Sequence, residues 1–426
     1  MPNTICIFED DQYQQLFPLA YIRPVYNLKT GIASLKDKIL HAYPGAKVVL
    51  HCRSYLSDYM RLRNPNTLVN EIPGEDCLFI NGRALADQNF AKRIPLTSKN
   101  EVVYVNDGRV VAAYLKGVSL RRVRRELHHP LSVEVFAKIP QAGSVARLIS
   151  YPWELVHLNG KELVHDVDLL TASARKKGKR KQDFKKFSGS YFLNPRSIVI
   201  REGTSIKPGV VLDAEKGPIW IGKNVQILAH AVITGPAYIG DGTIIKAGAS
   251  ICENTTIGPV CKIGGEVEGS IIHGFSNKQH AGFLGHAYIG AWCNLGAGTN
   301  NSDLKNNYSH VRVQMDREQI DTGLQFVGLM MGDHSKSAIN SMFNTGTIVG
   351  MGCNIFGFGF PPKYVPPFSW GAAGETFTTF AVDKFIEVAK RVMARRGVEL
   401  STFEERLFKR IFDSTKDERI RHGMPA

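Results

Sequence analysis

From Ile200 onward the apolar positions of the chain recur every six residues. Isoleucine stands at 221, 227, 233, 239, 245, 251, 257 and 263, and Ile200, Ile206 and Leu212 precede these in the same spacing before a three-residue insertion. Glycine follows the repeat residue at 222, 240, 258 and 264, and after an interruption the spacing resumes at Met331, Ser337, Phe343, Val349 and Ile355. Neither a helix, with a period of about 3.6, nor a plain strand, with a period of 2, produces this run. A six-residue unit is a short strand plus a tight turn, with one side chain driven inward and small residues at the corner. Such units stack edge to edge as a parallel β-helix around a dry axis of isoleucines.

The first part of the chain is patterned differently. Short apolar runs (TICIF, AKVVLHC, CLFING, EVVYVN, GRVVAAYL) alternate with helix-like stretches at 32–41 and 163–174. That alternation predicts an α/β, Rossmann-like domain with a mostly parallel sheet. Beyond Trp370 the repeat gives way to PPKYVPPFSWG and then to TFAVDKFIEVAKRVMARRG, a helical period stopped at Gly397. A second helix is expected in STFEERLFKRIF, with Ser401 and Glu404 or Glu405 suited to its N-cap. The reading is three segments: an α/β domain over 1–190, a β-helix over 191–372 and a helical tail over 373–426. The tail helices are expected to cover the end of the β-helix, whose open edge would otherwise invite aggregation.

Composition narrows the function classes. No run approaches the roughly 18 apolar residues of a membrane helix, and MPNTICIFEDD lacks the basic and apolar regions of a signal peptide. The seven cysteines are scattered and form no CxxC pair, which points to reduced thiols in a cytoplasmic protein without structural zinc. The formal net charge is +14, and Arg175–Lys186 contributes +7 of it (eight basic residues, one Asp); a smaller cluster is Arg121–Arg125. Phe184 is the one aromatic within these runs, which is not the interleaving a base-stacking surface would want, and no nucleic-acid motif accompanies them. They read as solvated charge on a protein that handles phosphorylated substrates.

One stretch inside the repeat is polar: SNKQHAGFLGHAYIGAWCNLGAGTNN, from Ser276 to Asn301. It contains Ser276-Asn277-Lys278-Gln279-His280, then Leu284-Gly285-His286-Ala287-Tyr288-Ile289-Gly290, then Asn294-Leu295-Gly296-Ala297-Gly298-Thr299. This resembles the acetyltransferase stretch of the GlmU-type bifunctional enzymes, glucosamine-1-phosphate acetyltransferases joined to uridylyltransferases. GDHSKSAINSMFNTGTIVGMG resembles the coils that follow it, and the resemblance spans roughly 195–360. It implies a left-handed hexapeptide-repeat β-helix, acetyl-CoA as co-substrate, and His280 as the base that deprotonates an amino sugar, with Asn294 beside it. It places Gly296, Ala297, Gly298 and Thr299 along acetyl-CoA. It places Lys278, Phe283, Asn300, Asn301, Asp303 and Lys305 around the sugar 1-phosphate, the two lysines meeting the phosphate. The chemistry agrees, because acetyl transfer to an amine needs a near-neutral base and donors for the developing oxyanion. Three positions depart from the pattern. Phe283 replaces a tyrosine, Asp303 stands where an asparagine is usual, and Lys305 is only the nearest candidate for a lysine expected further on.

PLAYIRPVYNLKTG and FINGRAL resemble the divergent nucleotidyltransferase domain of GlmU-like proteins. The resemblance implies binding of UTP or dTTP with magnesium and a sugar 1-phosphate. IFEDDQYQQLFPL has no glycine, so the usual Gly-rich phosphate cradle is missing and Arg23 and Lys29 are the candidate substitutes. Asn81 and Arg83 are further nucleotide-binding candidates. Asp107, or Asp166 with Asp168, is the candidate magnesium ligand, since that ion needs only one or two carboxylates beside phosphate oxygens.

Three functions stay open on the residues. One is a bifunctional enzyme of sugar-nucleotide (UDP-N-acetylglucosamine) biosynthesis, assembled as a homotrimer with sites between neighbouring prisms. Another is a nucleotidyltransferase whose β-helix only regulates or oligomerises. The third is a metal-dependent hydratase using His280 and His286.

Overall fold

The computed structural model describes residues 4–176, 183–373 and 377–425. Positions 177–182 of the basic run lie outside the described residues. The chain forms two compact units, one of Met1–Lys29, Ala33–Tyr151 and Ser401–Arg410, the other of Thr30–Ile32, Pro152–Leu400 and Ile411–Ala426.

In the first unit the five expected strands form, as β1 (Thr4–Phe8), β2 (Lys47–Leu50), β4 (Asp76–Asn81), β5 (Val102–Asn106) and β6 (Arg109–Lys116), and two short strands that the pattern did not predict join them, β3 (Leu68–Val69) and β7 (Gln141–Gly143). Their order across the sheet is β3-β2-β1-β4-β6-β5-β7. The sheet is mostly parallel, as expected, with β6 alone running against the other strands. β1 pairs in parallel with β2 and β4, whereas β6 runs antiparallel to β4 and β5. The reversal is local: Asp107 and Gly108 both have positive φ (48° and 72°), the Asp-Gly turn that folds β5 back onto β6. Strand order reverses at β1, so the carboxyl ends of β1 and β4 border the crevice where such sheets hold ligands.

In the second unit the sixes become three parallel faces. A nine-stranded face runs from Ile198–Ile200 to Tyr364–Val365, a ten-stranded face begins at Ser205–Ile206, and a six-stranded face ends at Phe283–Gly285. One coil pairs with the next eighteen positions on, as Gln226-Ile227, Ile244-Ile245 and Lys262-Ile263 do. The eight isoleucines from 221 to 263 are buried in one core with Leu284, Ile289, Leu295, Met331, Phe343, Val349 and Ile355. Each fully buried side chain of this size contributes about 1.5–3 kcal/mol. The interruption of the period is an excursion between Asn301 and Met330 that carries a small antiparallel hairpin, Arg312–Gln314 with Gln319–Asp321.

The helix expected over 163–174 runs from Pro152 to Lys176 and belongs to the β-helix unit. Asn159 fixes it there: its Nδ2 donates to the Asn254 carbonyl (2.7 Å), and its Oδ1 accepts from Thr256 Oγ1 (3.1 Å) and the Gly31 N–H (2.7 Å). At Gly160 the approach is so close that a Cβ would collide with the Asn254 side chain. The expected tail helices form at Val382–Ala394 and Thr402–Ser414, and Ser401 and Glu404 exchange the reciprocal bonds of a capping box (3.0 and 3.2 Å). No helix among the described residues is long and apolar enough to cross a membrane.

Candidate functional site

Within Ser276–Asn301 the repeat decides which polar groups face inward. Lys278 is in register with Ile263 of the preceding coil, so it occupies the interior slot. Its side chain is buried, and Nζ donates to the carbonyls of Gly264 (3.0 Å), His280 (3.1 Å) and Gly282 (2.5 Å). Burial brings the ammonium down to about 8. Lys278 therefore does not meet a substrate phosphate; it pins the turn that carries His280. Asn301 is also turned inward, pairing both amide atoms with the Gly285 backbone (2.9 Å each). That pairing removes it from the substrate set.

Replacing Lys278 with methionine leaves three carbonyls without their donor, at about 1–3 kcal/mol for an unsatisfied buried group. We expect a lower melting temperature at pH 7. The pH dependence has a definite sign. A buried ammonium held near 8 rather than the free value of 10.5 disfavours the folded state while charged. The unfolded chain binds the extra proton between those values, so this group's contribution to stability rises with pH across that window. Melting temperatures of the native chain and Lys278→Met at pH 7.5, 9 and 10 should therefore diverge as pH rises.

His280 is exposed, and among the described residues its imidazole makes no hydrogen bond. Phe283 lies on the next strand, its N–H bonded to Asn300 Oδ1 (2.7 Å), and Asn300 Nδ2 returns to the Gly298 carbonyl (2.8 Å). In the turn Gly296–Thr299, three N–H groups are taken by the carbonyls of Ser337, Ala281 and Gly296. The Ala297 N–H has no acceptor among the described residues.

Asp303 faces the Nδ1 of His286 at 2.8 Å, with Phe326 packed 5.0 Å from the imidazole. The sequence suggests His286 only as a metal ligand beside His280 and does not reveal this pair. Its signal was faint: the two residues lie 17 positions apart, one coil of the repeat shortened by one. Lys305 sits on the excursion, its Nζ bonded to the His310 carbonyl (2.5 Å).

Asn294 points outward from the ten-stranded face. Lys262, Asn277, Asn294 and Lys336 form one column across successive coils. Asn277 Nδ2 reaches Asn294 Oδ1 at 3.4 Å, and Arg396 Nη2 donates to Asn277 Oδ1 at 2.8 Å. These residues line a cavity of about 290 Å³ with Phe275, Gln279, Trp292, Val392 and Arg395, which His280 does not line.

In the first unit the carboxyl ends of β1 and β4 carry a buried network. Arg83 is wholly buried; its Nε contacts both Asp10 oxygens (3.0 and 3.1 Å), its Nη2 also bonds Asp10, and its Nη1 donates to the Ile149 carbonyl (3.0 Å). Asn81 Nδ2 donates to Asp10 (2.8 Å) and to the Val110 carbonyl (2.9 Å). Expected as nucleotide ligands, Asn81 and Arg83 are held instead by Asp10 and backbone. The cavity beside them, about 80 Å³, is also lined by Asp11 and Arg109. Asp11 is exposed at its rim, its carboxyl pushed up by partial burial and the neighbouring Asp10. A second buried pair, Glu9–Arg53 at 3.3 Å, follows β1 directly, and burial raises the Glu9 carboxyl. The EDD triplet at 9–11 was the available clue to this cluster.

Arg23 donates to the Leu19 carbonyl (3.0 Å), and Lys29 bridges to Ser34. The structure does not gather the expected magnesium ligands. Asp107 forms the β5–β6 turn, and Asp166 lies in the second unit, accepting the Ile32 N–H at 2.8 Å. Asp166 groups with Glu162 and His165, their ligand atoms within 4.8 Å of one another, while Asp168 is exposed.

Comparison with known proteins places both parts. Residues 5–175 match the sugar nucleotidyl transferase family, and residues 218–252 match the bacterial transferase hexapeptide family of six repeats. The bifunctional protein GlmU of Synechococcus elongatus is 28% identical over 189 residues, covering 39% of this chain and 38% of that protein. The bifunctional protein GlmU of Methanococcus aeolicus is 28% identical over 197 residues, covering 46% and 43%. The chain thus spans about two-fifths of the length of these curated relatives. Among solved structures, the UDP-N-acetylglucosamine acyltransferase of Francisella novicida matches with 18% identity and a TM-score of 0.32, over 55% of this chain and 85% of that one.

Proposed function

Because the chain is a divergent GlmU-like transferase, with a sugar nucleotidyl transferase region followed by hexapeptide repeats, we propose that it serves sugar-nucleotide biosynthesis in the cytoplasm as a homotrimer. At the β-helix it transfers acetyl from acetyl-CoA to the amine of an amino-sugar 1-phosphate of the glucosamine type. At the first unit it joins a nucleotide from UTP or dTTP to a sugar 1-phosphate, releasing pyrophosphate.

The observation that carries the acetyl-transfer reading is a backbone bond between the two turns, from the Gly298 N–H to the Ala281 carbonyl (3.0 Å), with the exposed His280 and the unengaged Ala297 amide each next in the chain to one of these residues. His280 takes a proton from the substrate ammonium; the freed amine attacks the thioester carbonyl carbon; the carbon–sulfur bond breaks and the CoA thiolate leaves, taking up a proton. The Ala297 N–H donates to the oxyanion formed between these steps, where such donors act on transition-state charge. Gly296 and Gly298 on either side leave room for the pantetheine arm. Phe283 packs against the sugar without the hydroxyl a tyrosine would bring, while Asn300 orients its backbone.

For nucleotidyl transfer, the crevice at β1 and β4 is the proposed site. Asp10, Asn81 and Arg83 form its rigid floor, and Asp11 and Arg109, whose Nη1 donates to Ser150 Oγ (2.5 Å), are the further charged groups that line it. Magnesium, which would neutralise triphosphate charge, fits Asp11: carboxylate crowding with Asp10 is relieved by a cation there. Arg23 and Lys29 supply phosphate contacts in place of the glycine loop. Thermal stabilisation by acetyl-CoA, UTP, dTTP and several sugar 1-phosphates tests the whole reading, since a ligand at a hundred times its Kd stabilises by about 2.7 kcal/mol. In the Arg23→Ala/Lys29→Ala double variant, stabilisation by nucleotide should vanish and that by acetyl-CoA persist. Unchanged nucleotide binding would place the phosphates elsewhere.

A further inference from the structure

The cavity on the ten-stranded face carries cations that acetyl transfer, as described, does not use. Its floor is the column Lys262, Asn277, Asn294, Lys336, in that order on successive coils. Adjacent strands lie about 4.8 Å apart, so the two lysines bracket the two asparagines across three strand intervals. Its roof is the end of the helix Val382–Ala394 and the residues after it, where Arg395 and Arg396 enter the lining. Four cationic side chains thus border about 290 Å³, and no carboxylate lines it. Like charges gathered around a concave, partly desolvated space repel one another unless an anion fills it. Lys336 is desolvated there: burial lowers its ammonium, and its Nζ has a backbone carbonyl, that of His334 at 2.9 Å, for a partner. One wall is aromatic, with Phe275 and Trp292 stacked at 4.1 Å. Both sit at coil corners with positive φ (64° and 63°), which directs consecutive rings to the same edge.

We propose that this cavity binds the phosphate or diphosphate group of a ligand whose reacting end lies toward Asn294. Lys262 and Lys336 contact phosphate oxygens from the floor and Arg395 from the roof. Arg396, held by Asn277, is oriented toward the same oxygens. The tail helix is therefore part of a binding site rather than only a cover for the end of the β-helix. Two ligands carry the required chemistry: CoA, through its diphosphate, and the sugar 1-phosphate acceptor. Their identification rests on the acetyl-transfer reading, but the anion site itself does not.

Calorimetric titration of the full chain with inorganic pyrophosphate, CoA and glucosamine 1-phosphate tests the proposal. Pyrophosphate should bind and should displace one of the other two; displacement of CoA assigns the cavity to the diphosphate, displacement of the sugar phosphate to the acceptor. Lys262→Met and Arg395→Ala should each weaken pyrophosphate by about tenfold or more, the scale of a charge-assisted contact, and flatten its salt dependence. Arg395 is exposed at a helix end, so this variant keeps the fold even if a floor variant does not. Failure of pyrophosphate to bind, or unaltered affinity in both variants with an unaltered melting temperature, overturns the proposal. The two readings fail separately. A chain that acetylates normally while both variants bind pyrophosphate normally loses only the anion site. A chain that never acetylates, yet loses pyrophosphate in the variants, loses only the acetyl-transfer reading.

Discussion

Replacing His280 with alanine should lower acetyl transfer by about a hundredfold to ten-thousandfold, the usual contribution of a general base. The imidazole is exposed and makes no hydrogen bond among the described residues, so its removal should leave the melting temperature nearly unaltered. Nucleotide binding at the first unit should be unaffected for the same reason. The measurement is acetyl-CoA turnover and thermal melting on one preparation. Loss of activity in proportion to a loss of stability would make His280 a structural residue. A normal rate with a normal fold would move the base elsewhere. The His286–Asp303 pair is the alternative, because a carboxylate 2.8 Å from Nδ1 orients the ring and leaves Nε2 to accept a proton. His286→Asn then distinguishes the two imidazoles. Under the reading adopted here it lowers the rate far less than His280→Ala.

Loss of Arg83 should be the most damaging single change to the first unit. Arg83→Met removes the partner of a buried Asp10 carboxylate and strands a negative charge beside apolar strands, a change that costs about 3–5 kcal/mol in comparable pairs. The Asp10→Asn/Arg83→Met double variant should recover part of that loss, since no charge is then left unpaired. All four tryptophans, at 153, 220, 292 and 370, lie in the second unit. A lower-temperature transition seen by far-UV circular dichroism but silent in tryptophan fluorescence would therefore be that of the first unit. A single variant as stable as the native chain would show that the pair is not needed. Pyrophosphate binding at the β-helix should survive in both variants.

Much of the architecture was legible because it is local and periodic. Isoleucines six apart define an inward slot, and a slot closed to water selects apolar side chains coil after coil. Five strands of the first unit were legible as apolar runs, but the Asp107-Gly108 turn and the antiparallel course of β6 were not foreseen. The candidate site was legible only in part. The motif singles out Asn294 and the Gly296–Thr299 turn, but it does not show that Asn294 lines a cavity which His280 does not line, nor the role of Lys278. The coil spacing shortens from eighteen, between Ile245 and Ile263, to fifteen, between Ile263 and Lys278. That slip turns a lysine into the interior, where three carbonyls compensate it.

By itself, then, the sequence determined the repeat, the two kinds of secondary structure and the order in which they follow one another. These depend on nearest neighbours and on which side chains tolerate burial. Only the tertiary structure decided which polar residues meet. Asp10 finds Arg83 across 73 positions, Asn277 finds Arg396 across 119, and Lys262 and Lys336 are brought to one cavity by three strand pairings. Charge and hydrogen-bond partners act over a few ångströms of space, whatever the length of chain between them, so no local pattern records them.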